Sequence, residues 1–215
     1  MTQRLQALET ENRNLKQEVE RLKGENRRWA RLAGTDTLTG LPNKISFMRA
    51  LVPQTLQRAA KEQKSIGFIL MAADNLGPIN ETYGRSAGDQ VLKGMATLLQ
   101  AILGGADRLG HIDGTYFAVV LFPADLEATR SRANMLRARI RTHGFACADT
   151  TAQMTVSAGI AAFEPSQNMD GKTETEHVFQ LLNEALYMAK TAGGNQVQVV
   201  QDLQFKPSDR KEASL

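Results

Sequence analysis

The most constraining feature of this sequence is a continuous apolar run, Ile66–Ala73. A continuous apolar segment of this length is typical of a central strand that is buried on both faces. Four further segments have strand-like patterns: 109–112, 115–122, 154–163 and 197–200. The dipeptide Asp113-Gly114 separates the first two of these segments and is a strong signal for a two-residue hairpin turn.

Helix-like patterns alternate with the strands. They cover residues 44–63, 88–103, 124–143 and 176–192. Pro53 is expected to kink the first helix, because proline has no N–H to donate within a helix. The alternation predicts an α/β fold class, in the form of an α+β sandwich with a mostly antiparallel central sheet and flanking helices.

The composition indicates one globular domain with an appendage, since 42% of the 215 residues are hydrophobic. No apolar run is long enough for a membrane span or typical of a signal peptide, so neither a membrane nor secretion is expected. Cys147 is the only cysteine, which favours a reducing cytoplasm. Residues 1–34 hold 8 Lys/Arg and 5 Asp/Glu, whereas 35–215 hold 18 of each, so no nucleic-acid partner is predicted.

Residues 1–34 contain a heptad repeat, in which core-type residues are separated alternately by four and three positions. The core positions are Met1, Leu5, Leu8, Asn12, Leu15, Val19, Leu22, Asn26, Trp29 and Ala33. Leucine at most d positions, with Val19, Asn12 and Asn26 at a, favours a parallel two-stranded coiled coil. The flanking g and e positions form pairs of opposite charge between chains: Arg4–Glu9, Glu11–Lys16 and Glu18–Lys23.

A single amphipathic helix packed on its own domain is the alternative to this dimer. Such a helix is expected to show a wider apolar stripe than the a and d positions alone provide. We therefore predict a homodimerisation helix over 1–34, a globular domain over 35–203 and a disordered polar tail over 204–215.

Five segments of the globular part, taken together and in order, resemble the GGDEF domain of bacterial diguanylate cyclases. They are residues 36–43, 80–89, 107–117, 155–160 and 184–195, which span nearly all of 36–200. The resemblance implies a nucleotide-cyclase-like fold and a place in cyclic di-GMP signalling. It also implies a reaction that joins two GTP molecules with loss of pyrophosphate and that needs a divalent metal held by carboxylates.

The positions at which the family holds this metal carry no carboxylate here. The resemblance places the strand-end ligand at Ala72 and the two acidic hairpin positions at Thr115 and Tyr116. Asp74 is retained two residues after the first position, but in the family it is not the main ligand. The family's Gly-Gly-Asp/Glu-Glu-Phe pentapeptide is replaced by Asp113, Gly114, Thr115, Tyr116 and Phe117. The resemblance therefore implies a degenerate member with no catalytic residue, no metal and no cofactor.

Residual nucleotide contacts are expected at Asn80, Asp89 and Lys190. The first two match positions that contact guanine in the family, and Lys190 matches a basic position on the phosphate side. Gly77 and Gly194 occupy the other two basic positions. A purely structural role stays open, because Asn80 is predicted in a turn and Asp89 as a helix N-cap.

Product feedback in this family uses an Arg-x-x-Asp element before the hairpin. This sequence has Gly104 and Asp107 at those two positions. A glycine cannot reproduce the forked hydrogen bonds of a guanidinium to guanine. Asp107 is therefore predicted to be the remnant of an inhibitory site.

Three functional hypotheses follow from these residues. The first is a catalytically inactive, dimeric regulatory or scaffolding module that acts on an unidentified protein partner. The second is a GTP-binding switch without turnover, and the third is an active diguanylate cyclase that makes cyclic di-GMP from two GTP. The first is favoured, because the loss of even one preorganised electrostatic contact can slow a reaction by about 10²–10³.

Overall fold

The computed structural model describes residues 4, 11–13, 15–19, 21, 34–166 and 171–200. Backbone contacts divide the chain into two compact units, Met1–Thr35 and Asp36–Leu215. In the first unit the described residues between 4 and 21 are helical. Leu15 and Val19, which stand four residues apart on one helix face, are 59% and 46% exposed.

Part of the heptad prediction lies on described residues, namely Asn12, Leu15 and Val19. The remaining predicted dimerisation positions lie outside the described residues: Leu5, Leu8, Leu22, Asn26 and Trp29. The tail predicted over 204–215 lies outside them as well. The parallel coiled coil and the exact domain boundaries stay predictions.

The second unit is built on a five-stranded sheet with the order β2-β3-β1-β6-β7. Its strands are β1 (Ile66–Ala73), β2 (Arg108–Asp113), β3 (Tyr116–Leu121), β6 (Val156–Phe163) and β7 (Val197–Val199). All neighbours are antiparallel except β6 and β7, which are parallel. A separate two-stranded sheet pairs β4 (Phe145–Cys147) with β5 (Thr150–Ala152). The predicted mostly antiparallel α+β fold is confirmed.

The sheet is accompanied by five helices. They are α1 (Val52–Glu62), α2 (Leu76–Tyr83), α3 (Arg85–Ile102), α4 (Leu126–Thr142) and α5 (Gly171–Thr191). A short helical turn, Lys44–Ser46, and a π-helix, Phe47–Leu51, lead into α1. The Val52 N–H bonds to the Phe47 carbonyl with the five-residue spacing of a π-helix, next to the irregularity predicted at Pro53. No helix in the described ranges is both long and apolar enough to cross a bilayer.

The side chains of β1 alternate between two hydrophobic clusters, one on each face of the sheet. Ile69 and Met71 belong to the cluster that contains the apolar sides of α3 and α4, including Val91, Met95 and Leu136. Phe68, Leu70 and Ala72 belong to the opposite cluster, with α1 and α5, including Leu56 and Leu182. All eight residues of β1 are buried, as the sequence predicts.

The contact between α5 and the sheet is unusually close at Gly159 of β6. A Cβ atom built on this glycine would lie 2.3 Å from the Leu182 carbonyl oxygen and 2.9 Å from the Leu186 nitrogen. Both obstacles are backbone atoms, so no side-chain rotation could relieve the overlap. The helix backbone therefore rests directly on the strand at this residue.

The β2–β3 hairpin differs from its predicted register by one residue. The strands end at Asp113 and begin at Tyr116, and these two residues are paired. The turn residues are therefore Gly114 and Thr115, not Asp113 and Gly114. Gly114 has a φ of +48°, which suits glycine at the first turn position. The reason for the shift is that β2 carries an irregularity between His111 and Asp113, which extends the strand into the predicted turn.

Candidate functional site

The carboxyl end of β1 is organised by Asp74. Its carboxylate accepts hydrogen bonds from the Thr155 hydroxyl at 2.8 Å, the Ser157 hydroxyl at 2.7 Å and the Asn195 backbone N–H at 2.9 Å. The Asp74 N–H in turn donates to the Thr155 carbonyl at 3.0 Å. This side chain therefore ties the end of β1 to β6 and to the loop before β7.

The hairpin residues lie beside this strand end. Ala72 is fully buried and pairs with Tyr116 across the β1–β3 ladder. The Thr115 carbonyl accepts a hydrogen bond from the Ala73 N–H at 3.2 Å. Lys190 of α5 places its Nζ 5.1 Å from the centroid of the Tyr116 ring. The structure thus brings together the three positions expected to have lost carboxylates and one of the residues expected to contact nucleotide.

The divalent metal that the family implies does not fit the side chains present. In residues 34–166 and 171–200 no group of three or more His, Cys, Asp or Glu side chains converges to hold an ion. The Asp74 carboxylate already accepts three hydrogen bonds from within the protein, and Asp113 is exposed at the hairpin. Mg²⁺ is usually bound through one or two carboxylates together with water and substrate phosphates, and neither the engaged carboxylate of Asp74 nor the exposed one of Asp113 replaces those absent at Ala72, Thr115 and Tyr116.

A second polar cluster joins the hairpin to the start of the domain through His111. The ring is 5% exposed, its Nε2 lies 2.8 Å from the Gly114 carbonyl oxygen, and its Nδ1 lies 2.8 Å from Asp36 Oδ1. A carbonyl oxygen only accepts, so Nε2 carries a proton. The Nδ1 contact is short but poorly directed for a hydrogen bond, and we therefore treat it as electrostatic.

Asp36 is held as a carboxylate by its surroundings. Burial alone would raise its pKa, but the Thr39 hydroxyl, His111 and the Thr39 N–H together outweigh burial and lower the pKa. The two Thr39 contacts measure 2.7 and 2.8 Å. The contact between the Asp36 carboxylate and the His111 ring therefore joins the turn that begins the domain to the β2–β3 hairpin.

The two predicted guanine contacts lie on neighbouring helices, and both structural expectations for them are wrong. Asn80 lies within α2, not in a turn, because α2 runs on to Tyr83. Asp89 lies inside α3, not at its N-cap, because α3 already begins at Arg85 after Gly84. Asp89 is exposed, which leaves its carboxylate accessible.

Asn80 has an unusual environment for a helical side chain. Its Oδ1 is buried and has no hydrogen-bond partner among the described residues. The same atom lies against Gly88, where a Cβ atom would approach it to 1.9 Å. Within the described residues, no hydrogen bond or ion pair links Asn80 or Asp89 to Lys190. Asn80 lies on α2, Asp89 on α3 and Lys190 on α5, so any contact with a common ligand would join three helices.

Asp107 occupies a tight turn before β2. Its Oδ2 accepts the Gly104 N–H at 2.9 Å and lies 3.6 Å from Arg132 Nη1 of α4. Sequence reasoning missed Arg132, because nothing in the local pattern links this helix to the turn. Arg132 therefore places a positive charge beside Asp107, although Gly104 stands where the resemblance implies an arginine.

The comparison with known proteins decides the family. A family model described as diguanylate cyclase, GGDEF domain, matches residues 33–196. The chain belongs to this family. Diguanylate cyclase DgcP of Pseudomonas aeruginosa is 35% identical over 199 residues, which cover 91% of this chain and 28% of the relative. Diguanylate cyclase DgcM of Escherichia coli is 30% identical and the match covers 75% of this chain and 37% of the relative.

Solved structures of GGDEF proteins share the fold. The coiled coil and GGDEF domain of DgcB from Caulobacter crescentus, in complex with c-di-GMP, matches with a TM-score of 0.72 at 24% identity. That match covers 89% of this chain and 98% of the solved one. Diguanylate cyclase SiaD of P. aeruginosa, in complex with its activator SiaC, matches with a TM-score of 0.69 at 22% identity, over 92% of this chain and 73% of that one.

These relatives correct the favoured functional hypothesis. A catalytically inactive scaffold that acts only through protein contacts is contradicted, because the curated proteins matched by this chain are named as diguanylate cyclases. That hypothesis rested on the substitutions at Ala72, Thr115 and Tyr116 together with those at Gly77, Gly104, Asp113 and Gly194. Such substitutions remove family contacts but do not by themselves assign a new role. Since the chain spans only 28% of DgcP and half of DgcS of Shewanella oneidensis, the comparison concerns their GGDEF-like part.

Proposed function

We propose that this GGDEF domain acts on guanine nucleotides, with the joining of two GTP molecules into cyclic di-GMP as its reaction. The observation that supports this proposal is the 35% identity to DgcP across 91% of the chain. Because the relatives are longer proteins, the proposal concerns the domain and leaves their other segments aside. The carboxylates through which the family holds its metal are absent at Ala72, Thr115 and Tyr116, so the proposal concerns the contacts that the chain itself makes with the nucleotide.

The contribution of the chain itself would be to bind and orient the nucleotide. The exposed Asp89 carboxylate can accept hydrogen bonds from the N1–H and N2–H of guanine, and the Asn80 amide can donate to guanine acceptors. Lys190 carries the positive charge that would attract a phosphate at the β1 end of the site.

A second candidate is GTP binding without turnover. The observation that favours it is the absence of a carboxylate at Ala72, Thr115 and Tyr116, combined with the three internal hydrogen bonds of Asp74. In this case Asn80, Asp89 and Lys190 would bind GTP and the bound state would be the signal. The two candidates share a ligand and differ in whether product forms.

One experiment separates them. The full chain is titrated with GTP by calorimetry, with and without Mg²⁺, and the same mixtures are analysed for cyclic di-GMP by chromatography. Asp89→Asn and Lys190→Ala are expected to weaken binding about tenfold each, whereas Lys93→Ala, an exposed lysine on α3, is the matched control. Product above a no-protein blank supports the cyclase, and binding without product supports the switch. No GTP binding at millimolar concentration refutes both.

We also infer that the chain forms a homodimer through a parallel coiled coil of residues 1–34. The exposed Leu15 and Val19, at core positions of the heptad pattern, support this inference. A cytoplasmic location, expected from the single Cys147, and an unidentified protein partner stay predictions of the same kind.

A further inference from the structure

Helix α4 concentrates positive charge in the globular part of the chain, residues 35–215, which is neutral overall. Its 17 residues include five arginines, at 130, 132, 137, 139 and 141, and only one acidic residue, Glu127. One of these arginines, Arg132, lies beside Asp107. Neither Arg137 nor Arg141 forms an ion pair within the part of the chain that the structure describes.

Arg137 and Arg141 line a cavity of about 410 Å³, together with Ala138, Thr142 and Gln153. The two arginines stand four residues apart, so they project from the same side of the helix. Ala138, Arg141, Thr142 and Gln153 are exposed, so the cavity is an open groove, with a volume in the range of pockets that hold small organic ligands. Its lining residues include none of those proposed to bind GTP, which lie on α2, α3 and α5.

The guanidinium of Arg137 is fixed in place by the protein. Its Nη1 donates to the Asn195 carbonyl at 3.0 Å and to Asn195 Oδ1 at 2.9 Å. Its Nε is buried and has no partner among the described residues. A partly buried charge without a counter-ion is unfavourable, and an anion beside it would offset that cost.

We propose that this cavity binds a small organic phosphate, with Arg137 and Arg141 contacting the phosphate oxygens. A guanidinium presents several donors in a planar fork that matches the oxygens of a phosphate group. The rest of the ligand would contact Ala138 and the Gln153 amide at the cavity wall. The site needs no metal, because two arginines already supply the positive charge.

A ligand in this cavity would affect the position of Asp74, at the end of β1, through Asn195. This residue accepts both hydrogen bonds from Arg137 and donates its backbone N–H to Asp74. Its φ of +50° places it in the left-handed region, where asparagine is tolerated better than most residues. The position of Arg137 and the position of Asp74 are therefore linked through a single, conformationally restricted residue.

The test uses the full chain and glycerol 3-phosphate as the probe, with glycerol as the uncharged counterpart, at constant ionic strength. Calorimetry or amide chemical shifts should show saturable binding of the phosphate ester and none of glycerol. Arg141→Gln is expected to weaken binding about tenfold. Arg139→Gln, which removes an exposed arginine of the same helix outside the cavity, is expected to change it less than twofold.

Lys190→Ala separates this site from the proposed GTP site, because it should leave glycerol 3-phosphate binding unchanged whether or not GTP binds. An equal effect of Arg139→Gln and Arg141→Gln would show that general charge attraction accounts for the binding. That result, an absence of saturation, or equal binding of glycerol overturns the proposal. A thermal unfolding scan of each variant confirms that the fold is retained.

Discussion

Lys190 and Tyr116 form a cation–π contact, with the ammonium nitrogen 5.1 Å from the ring centroid. One residue comes from α5 and the other from the first position of β3, so the contact joins the helix to the hairpin. It occupies the end of the sheet where the resemblance implies a carboxylate. The positive charge of Lys190 therefore has the face of the Tyr116 ring as its partner.

The Lys190–Tyr116 contact is expected to contribute to stability. A double-mutant cycle with Lys190→Met and Tyr116→Leu should give a coupling of about 0.5–1 kcal/mol in the free energy of unfolding by urea. Lys190→Met combined with Tyr83→Leu, an aromatic residue 48% exposed at the end of α2, serves as the control and should be additive. A coupling indistinguishable from zero for the first pair would contradict the contact.

Asp74→Ala is expected to destabilise the domain by about 2–3 kcal/mol, because it leaves two hydroxyls and one backbone N–H without their acceptor. Asp113→Ala, at the exposed end of the hairpin, is the matched control and should change stability by less than about 0.5 kcal/mol. Urea unfolding of both variants measures the difference. Equal losses of stability in the two variants would show that the three hydrogen bonds of Asp74 do not stabilise the end of β1.

Gly88→Ala and Gly77→Ala are expected to act in opposite directions. A Cβ atom at Gly88 would lie 1.9 Å from Asn80 Oδ1, so overpacking should cost about 1–3 kcal/mol. A Cβ atom at Gly77 meets nothing within 4 Å, and the alanine should be neutral or stabilising by up to about 1 kcal/mol. Adding Asn80→Ala should restore most of the stability that Gly88→Ala removes, as measured by urea unfolding. If the full loss of stability persists, contact with Asn80 is not its cause.

The stability of the domain is expected to fall in acid partly through Asp36. Its pKa is lowered from 3.8 in the folded state, so its contribution is present above about pH 4 and disappears as the pH falls through the folded-state pKa. Asp36→Asn should therefore lower the melting temperature at pH 7. The difference from the wild type should shrink as the pH drops below 4. A difference that is constant from pH 7 to pH 2 would exclude this role of the carboxylate.

The coiled coil has its own test in the two core asparagines. Asn12→Leu with Asn26→Leu should raise the melting temperature and loosen the preference for dimers on sedimentation, since buried Asn at a trades stability for specificity. Asn14→Leu falls at an outer heptad position and should leave the oligomeric state unchanged. A wild-type chain that sediments as a monomer at roughly tens of micromolar would contradict the dimer.

The central strand β1 was predictable because burial on both faces leaves a continuous apolar run. Strands β4 and β5 were not predicted, because three residues each are too few for a recognisable pattern. The bounds of β1 agree with the prediction, and those of β7 differ by one residue. Helix α2 was missed, because Gly77 and Pro78 in its first turn are typical of loops. Helix α3 begins earlier than predicted, because Gly84 at its N-cap provides no side-chain hydrogen bond and so no sequence signal.

The candidate site was less predictable than the fold, because its contacts join residues far apart in the chain. The sequence singled out Tyr116 and Lys190 separately, and only the packing of α5 beside β3 brings them together. The links of Arg137 and Asp74 to Asn195 depend in the same way on the approach of α4, β1 and the loop before β7. Local patterns contain no information about such approaches.

Gly159 determines how closely α5 approaches the sheet. The motif Thr155–Ile160 that helps to identify this chain includes a glycine whose only evident role is to let the α5 backbone lie on β6. Any side chain there would push the helix outward and with it Lys190. A residue of β6 that contacts no ligand thus fixes how near Lys190 stands to Tyr116, so a substitution at Gly159 would alter the candidate site without touching it.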